Sequence, residues 1–392
     1  MSTAEWLHVP VGLDAERWVT RAGCHKVLAV VHTVTSGQRL LEAVELVEQD
    51  PRVQVVFTKA PDVFGNGVED FLRATEGITL PWQQAVREEF DLAIAASCGA
   101  LHELHAPLLL MPHGAGYGKA YPTGIVYGLD AQRLLHNGRV LPRSLVLSHR
   151  DQLGVLRGQC PQAAEVAVVA GDPCYDRLVA SEHLREVYRE ALGVRSGQKL
   201  VLATSTWGST SLFGRDLLPH LLDALPGADH RIAALVHPAV WFGHGPRQIR
   251  AWLADCLDAG LLLIGPEADW RAAVIAADHV IGDHGSVTTY AAATGRAVLL
   301  VGDAGQTAPN SAQAVLARRG QHLDLARPLA GQLAAAREQT PAVRRAVSRA
   351  LTSKPGRSAA LLRQEIYRLL EITEPGRHRA TPTVGIPHRI AR

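Results

Sequence analysis

The sequence predicts an α/β protein built on two doubly wound parallel sheets. Two observations carry this: short apolar runs alternate with amphipathic stretches through both halves of the chain, and polar, glycine-bearing loops recur where those runs end. With 392 residues there is room for two full hydrophobic cores.

In the first half, Lys26–Val31 reads as a buried strand, Arg39–Gln49 as an amphipathic helix and Val53–Phe57 as a second strand, together one βαβ unit. Ser36 and Gly37 fall at the expected helix start, where they would either cap it or touch a phosphate or acceptor. Phe71–Glu89 has helical character broken near Pro81. Leu92–Ala95, Leu108–Met111, Arg143–Ser148 and Glu165–Val169 complete the strands of this half. Leu108–Met111 runs into PHGAGYGKAYPTG, a stretch too rich in glycine and proline for regular structure. His113 therefore projects from the end of a strand, where α/β proteins keep their ligands, with Lys119 six residues on.

The second half restarts the alternation. Lys199–Ala203, His230–Val236, Leu261–Ile264, Asp278–Gly282 and Ala297–Val301 are expected strands; Leu217–Leu225, Arg247–Ala259 and Asp269–Ala276 are expected helices. The most informative stretch is 272–302. There the strand ending at Gly282 meets a turn of Asp283, His284, Gly285 and Ser286, and a helix is expected to open at Val287. Free N–H groups and the positive end of the helix dipole await an anion at such a turn. Gly331–Glu338, Pro341–Leu351 and Ser358–Leu370 read as C-terminal helices, Thr340 and Pro341 marking the start of the second. The expected division is residues 1–170, 171–353, a helix in 354–372 and a disordered basic tail in 373–392.

A net charge of +2 gives no electrostatic footprint for nucleic acid. No apolar run approaches a membrane span, and no basic segment leads into an apolar one at the N-terminus. The five cysteines are scattered without CxxC pairs, which points to reduced thiols and neither a disulfide frame nor a zinc site. The expectation is a cytoplasmic protein, with a peripheral place at a membrane and a homo-oligomer left open. A dehydrogenase is disfavoured because no GxGxxG follows Lys26–Val31.

The polar loops, in order, are HGAGYGK (113–119), GDPCYDRL (171–178), TSTW (204–207), VHPAVW (236–241) and GDHGS (282–286). In this order and spacing they resemble the CDP-glycerol glycerophosphotransferases, the teichoic acid polymerase type of GT-B enzyme. More distantly they are similar to nucleotide-sugar GT-B transferases and UDP-N-acetylglucosamine 2-epimerases. The likeness spans roughly residues 108–302, and the turn departs from the family's D-x-S-S in having Gly285 where a hydroxyl stands.

The resemblance implies a GT-B-like chain: two Rossmann-like domains facing a cleft, with C-terminal helices. It implies metal-independent transfer of a glycosyl or glycerophosphate group from a nucleoside-diphosphate donor to a hydroxyl acceptor, with no cofactor required. His113 would be the base and His237 would bind or protonate the phosphate. Gly285, Ser286, Val287 and Thr288 would hold the diphosphate, Thr206 and Trp207 would shape the donor site, and Lys119 would assist. Asp283 would hydrogen-bond a ribose or acceptor hydroxyl, or orient His237 or His284. The alternatives are a sugar-nucleotide epimerase or hydrolase, which needs several carboxylates together (Asp172, Asp176, Glu267 and Asp283 are available), and a catalytically silent GT-B scaffold that binds a partner.

Overall fold

The structure is a computed structural model that describes residues 6–12, 15–303, 305–376 and 381–387. The chain forms two compact units. The first comprises the described residues up to Tyr117, Ile125–Cys174 and 353–376; the second comprises Gly118–Gly124, Tyr175–Thr352 and 381–387.

The first unit is built on seven parallel strands: β1 (His25–Val31), β2 (Val53–Lys59), β3 (Thr79–Leu80), β4 (Leu92–Ala95), β5 (Leu108–Leu110), β8 (Ser144–Leu147) and β9 (Ala167–Val169). A small antiparallel hairpin, β6 (Leu135–His136) and β7 (Arg139–Val140), lies outside the sheet. The order is β3-β2-β1-β4-β5-β8-β9, so the winding reverses between β1 and β4. Val27 to Val31 are buried without a break, which is why this strand reads as a continuous apolar run and not as an alternation.

The helix after β1 starts earlier than its amphipathic pattern suggests, at Val34. Thr33 caps it, and Thr33 and Ser36 form a reciprocal capping box. Gly37 sits in this helix where a Cβ would lie 2.4 Å from the Phe71 ring, so the glycine permits close packing of the helix Val68–Ala74. The segment 71–89 resolves into that helix, β3 and a short helix Trp82–Ala85.

The second unit has six parallel strands: β10 (Lys199–Ser205), β11 (His230–Val236), β12 (Leu262–Ile264), β13 (His279–Gly282), β14 (Ala297–Leu300) and β15 (Gln321–His322). Their order is β12-β11-β10-β13-β14-β15, which reverses between β10 and β13. Val201, Ile232, Ile281 and Leu299 from the sheet pack with Leu221, Ile249 and Leu333 from helices. The helices expected at 331–338 and 341–351 are one, Leu329–Leu351, running through Pro341. Proline removes one N–H bond, but buried Leu333, Ala336, Val343, Val347 and Leu351 hold both halves against the unit, and the Thr340 hydroxyl donates to the Ala336 carbonyl.

The boundary falls after Cys174 instead of residue 170, and the helix Ser358–Leu369 belongs to the first unit. There Tyr367 Oη donates to Asp50 at 2.9 Å, and Arg363 donates to the Leu46 carbonyl. The tail expected to be disordered makes defined contacts in its described parts. Glu374 pairs with Arg363, and Val384 is buried, its N–H donating to Ser181. Residues 377–380 and 388–392 of that tail lie outside the described residues.

Candidate functional site

In a doubly wound sheet the crevice at the strand-order reversal, at the carboxyl ends of the strands, is the place for a ligand. In the second unit the loops after β10 and β13 flank that point. Asp283, 4% exposed, directly follows β13 and ties the two loops together. Its carboxylate accepts the Thr206 N–H at 2.9 and 3.1 Å and the Leu212 N–H at 3.3 Å. Both oxygens are thereby committed to backbone. Asp283 fixes the 206–212 loop, and the role expected for it, bonding substrate or orienting a histidine, gives way to this one.

Thr288 also turns inward. It is fully buried, and its hydroxyl lies 2.9 Å from that of Thr204, stitching the helix Ser286–Thr294 to β10. Its side chain is thus unavailable to a donor. Gly282 makes this stitch possible, since a Cβ there would stand 2.1 Å from Thr204 Oγ1. Gly285 caps the helix without a side chain and lies so close to Thr206 that a Cβ would sit 2.8 Å from Thr206 Cγ2. Ser286 and Val287 at the start of this helix are half-buried, and first-turn N–H groups of a helix have no acceptor within the helix itself.

Trp207 is 46% exposed and not a core residue. Lys119 Nζ lies 5.5 Å from the centre of its ring. Lys119 reaches this place because segment 118–120 joins the second unit: Lys119 bridges Thr307, and the Gly118 carbonyl accepts the Ala308 N–H. An ammonium over an exposed indole presents positive charge and a stacking face side by side. His237, after β11, caps its own helix, Nδ1 accepting the Ala239 N–H at 3.1 Å. A neutral ring bonded this way carries its proton on Nε2, which is then a donor. Burial lowers the His284 pKa, with Asp283 opposing, and His284 Nε2 has no hydrogen-bond partner.

The first unit has its own cluster at the carboxyl ends of β1, β4 and β5. His113 Nδ1 lies 3.0 Å from the Ala96 carbonyl, so this nitrogen donates and Nε2 keeps its lone pair. The pKa of His113 is lowered, first by crowding of protein around a ring whose surface still meets solvent, then by nearby Arg39 and His32; the Ala96 bond works against this. His32, fully buried at the end of β1, bonds the Gly99 carbonyl through Nε2 at 2.7 Å and leaves Nδ1 without a partner.

Arg39, 5% exposed, pairs with Glu42 at 2.8 Å and Asp172 at 3.3 Å and donates to the Gly114 carbonyl at 3.1 Å. It thereby anchors the loop that carries His113. Sequence reading missed Arg39 and His32, since one sits on a helix taken as merely amphipathic and the other at a strand end without a motif. Ser36 and Gly37 are not ligand contacts. Ser36 is 1% exposed, with its hydroxyl spent on the capping box, and Gly37 is packed against Phe71. Among the described residues no group of three or more His, Cys, Asp or Glu side chains is placed to hold a metal ion, and no helix is long and apolar enough to cross a membrane.

Two parallel α/β units, each with polar loops at its strand-order reversal, define the GT-B type of fold, and solved structures share it. A variant of the wall teichoic acid polymerase TagF soaked with CDPG superposes with a TM-score of 0.62 at 13% identity, over 88% of each chain. TagF itself gives 0.60 at 12% identity, over 88% of this chain and 89% of that one. Alr3699/HepE of Anabaena in complex with UDP-glucose gives 0.53 at 15%, over 88% of this chain and 99% of that one. No family model and no curated protein matches the sequence. At these identities the likeness shows the fold.

Proposed function

We propose that this protein is a transferase that moves a glycosyl or glycerophosphate group from a nucleoside-diphosphate donor to a hydroxyl acceptor. The observation that carries the reading is the second unit's switch point. There the amino-terminal turn of Ser286–Thr294, Gly285 flush against Thr206, and Lys119 over exposed Trp207 offer backbone N–H donors, a cation and an aromatic face. These suit a diphosphate and a base. That the same fold is seen with UDP-glucose in HepE, and in a TagF variant soaked with CDPG, supports this class of donor.

In the proposed reaction the acceptor hydroxyl gives its proton to His113 Nε2 as its oxygen bonds the transferred carbon or phosphorus. The bond from that atom to the leaving phosphate breaks. The negative charge of the leaving phosphate falls on the first-turn N–H groups, Lys119 and the Nε2–H of His237, with no metal required. The epimerase or hydrolase alternative is less well served, because Asp172 is held by Arg39 and Asp283 by N–H groups.

Calorimetric titration with CMP, CDP, UDP and GDP tests the donor site. One base should bind, with affinity reduced roughly 10–100-fold in Trp207→Ala, since base stacking contributes about 1–3 kcal/mol. His237→Ala should also weaken it. His113→Ala should retain donor binding and lose roughly 10²–10⁴ in turnover. No binding by any nucleotide, or binding indifferent to both donor-site substitutions, overturns the reading.

A further inference from the structure

At the amino-terminal ends of β13 and β14 the second unit has a recess of about 530 Å³. β13 is four residues long, so the recess lies on the order of 13 Å from the donor loops at the other end of the strand. Arg185, Arg296, Arg337, Arg344 and Arg345 line it, with Asp278 as its one lining carboxylate. Arg185 is bound to Asp278 at 3.0 Å, and Arg296 to Glu182 at 2.5 Å. The other three have no carboxylate within ion-pair distance among the described residues. Arg337 and Arg344 are seven residues apart on the helix Leu329–Leu351, hence on one face, with Thr340 and Pro341 between them on the same wall.

A second, independent feature marks the recess. His279 lines it, is 6% exposed, and has Nδ1 buried without a hydrogen-bond partner. Burial holds its pKa at about 4, so the ring is neutral at pH 7. Arg185 has its pKa lowered first by burial and then by Arg296, the signature of cations crowded in one place. A protein surface normally intersperses charges of both signs; here five guanidiniums meet one carboxylate inside a concavity.

We propose that this recess is a binding site for a small multivalent phosphate, separate from the donor site, with Arg337, Arg344 and Arg345 as its charge-pairing groups. The volume fits a small molecule, and guanidiniums pair phosphate oxygens in bidentate fashion. A concave site on a chain of net charge +2 favours a small anion over a polyanionic surface such as a duplex or membrane.

The test is calorimetric titration of the full chain with inorganic phosphate, pyrophosphate and tripolyphosphate. Affinity should rise along the series. Arg337→Gln and Arg344→Gln should each weaken tripolyphosphate about tenfold, as expected for loss of one charge-assisted hydrogen bond. Arg349→Gln, on the same helix but outside the recess, should leave it unchanged. Both arginines are exposed, so the variants should fold, and unchanged melting temperatures would verify this. Trp207→Ala, which tests the donor site, should not alter tripolyphosphate binding. Absence of binding by all three anions, an equal loss in Arg349→Gln, or binding confined to phosphatidylserine vesicles or duplex DNA overturns the proposal.

Discussion

Replacing Asp283 by alanine separates a residue that builds the site from one that reacts in it. The carboxylate is almost fully buried and receives the N–H groups of Thr206 and Leu212, at 2.9 and 3.3 Å for the shorter contact to each. A hydrogen bond to a charged group contributes about 1.5–3 kcal/mol, and the longer Leu212 contact adds less, so the loss should be about 2–4 kcal/mol. A domain of this size shifts by roughly 2–4 °C per kcal/mol, so calorimetry should show the transition of the second unit falling by about 4–16 °C. Hydrogen exchange of the Thr206 and Leu212 amides should accelerate, and donor affinity should fall with the loop. Asp283→Asn, which keeps one acceptor oxygen, should be intermediate. Unchanged exchange at 206–212, with stability within about 0.5 kcal/mol of the parent, would refute the reasoning. Lost turnover on top of that result would return Asp283 to the chemistry.

Arg39→Gln leaves Glu42 and Asp172 buried without their cation and should cost about 3–5 kcal/mol in urea unfolding. Gly37→Ala drives a methyl into the Phe71 ring and should lower stability by about 1–3 kcal/mol without touching nucleotide binding. The proposed reaction uses the neutral form of His113 as base, and its pKa is lowered, so on that proposal kcat/KM should hold as pH falls through 6.5 and drop only below it. An acid limb at or above the ordinary histidine value counts against His113 as base. His279 has a folded pKa of about 4 against 6.5 in the unfolded chain, so between those values only the unfolded state takes up the proton. Stability should therefore fall by up to about 3 kcal/mol from pH 6.5 to 4, and His279→Leu should flatten that part of the profile.

The strands were legible because parallel strands covered on both faces are unbroken apolar runs, and the loops were legible because glycine and proline cluster where those runs end. His113, Trp207 and the 283–286 turn were singled out as candidates that way. What each side chain does was not, because local spacing is silent on contacts between distant segments. Asp283 meets Thr206 across 77 residues, and Arg39 meets Asp172 across 133. Thr288 reads as a first-turn hydroxyl until Thr204 is seen beside it. The continuous helix through Pro341 was hidden for a related reason: local propensity favours a break there, and only the packing of residues on both sides overrides it.

The helix Ser358–Leu369, which packs against Val34–Val44, also orders events during synthesis. Every residue of the second unit up to Thr352 leaves the ribosome before this helix does, yet the first unit needs it. Translation at about 5–20 residues per second leaves the surface of Val34–Val44 that packs against this helix, which carries buried Leu362 and Ile366, uncovered for tens of seconds. The helix Val34–Val44 is thus sealed late, and for as long as residues 358–369 remain inside the ribosome the surface that they cover stays displayed to chaperones and proteases.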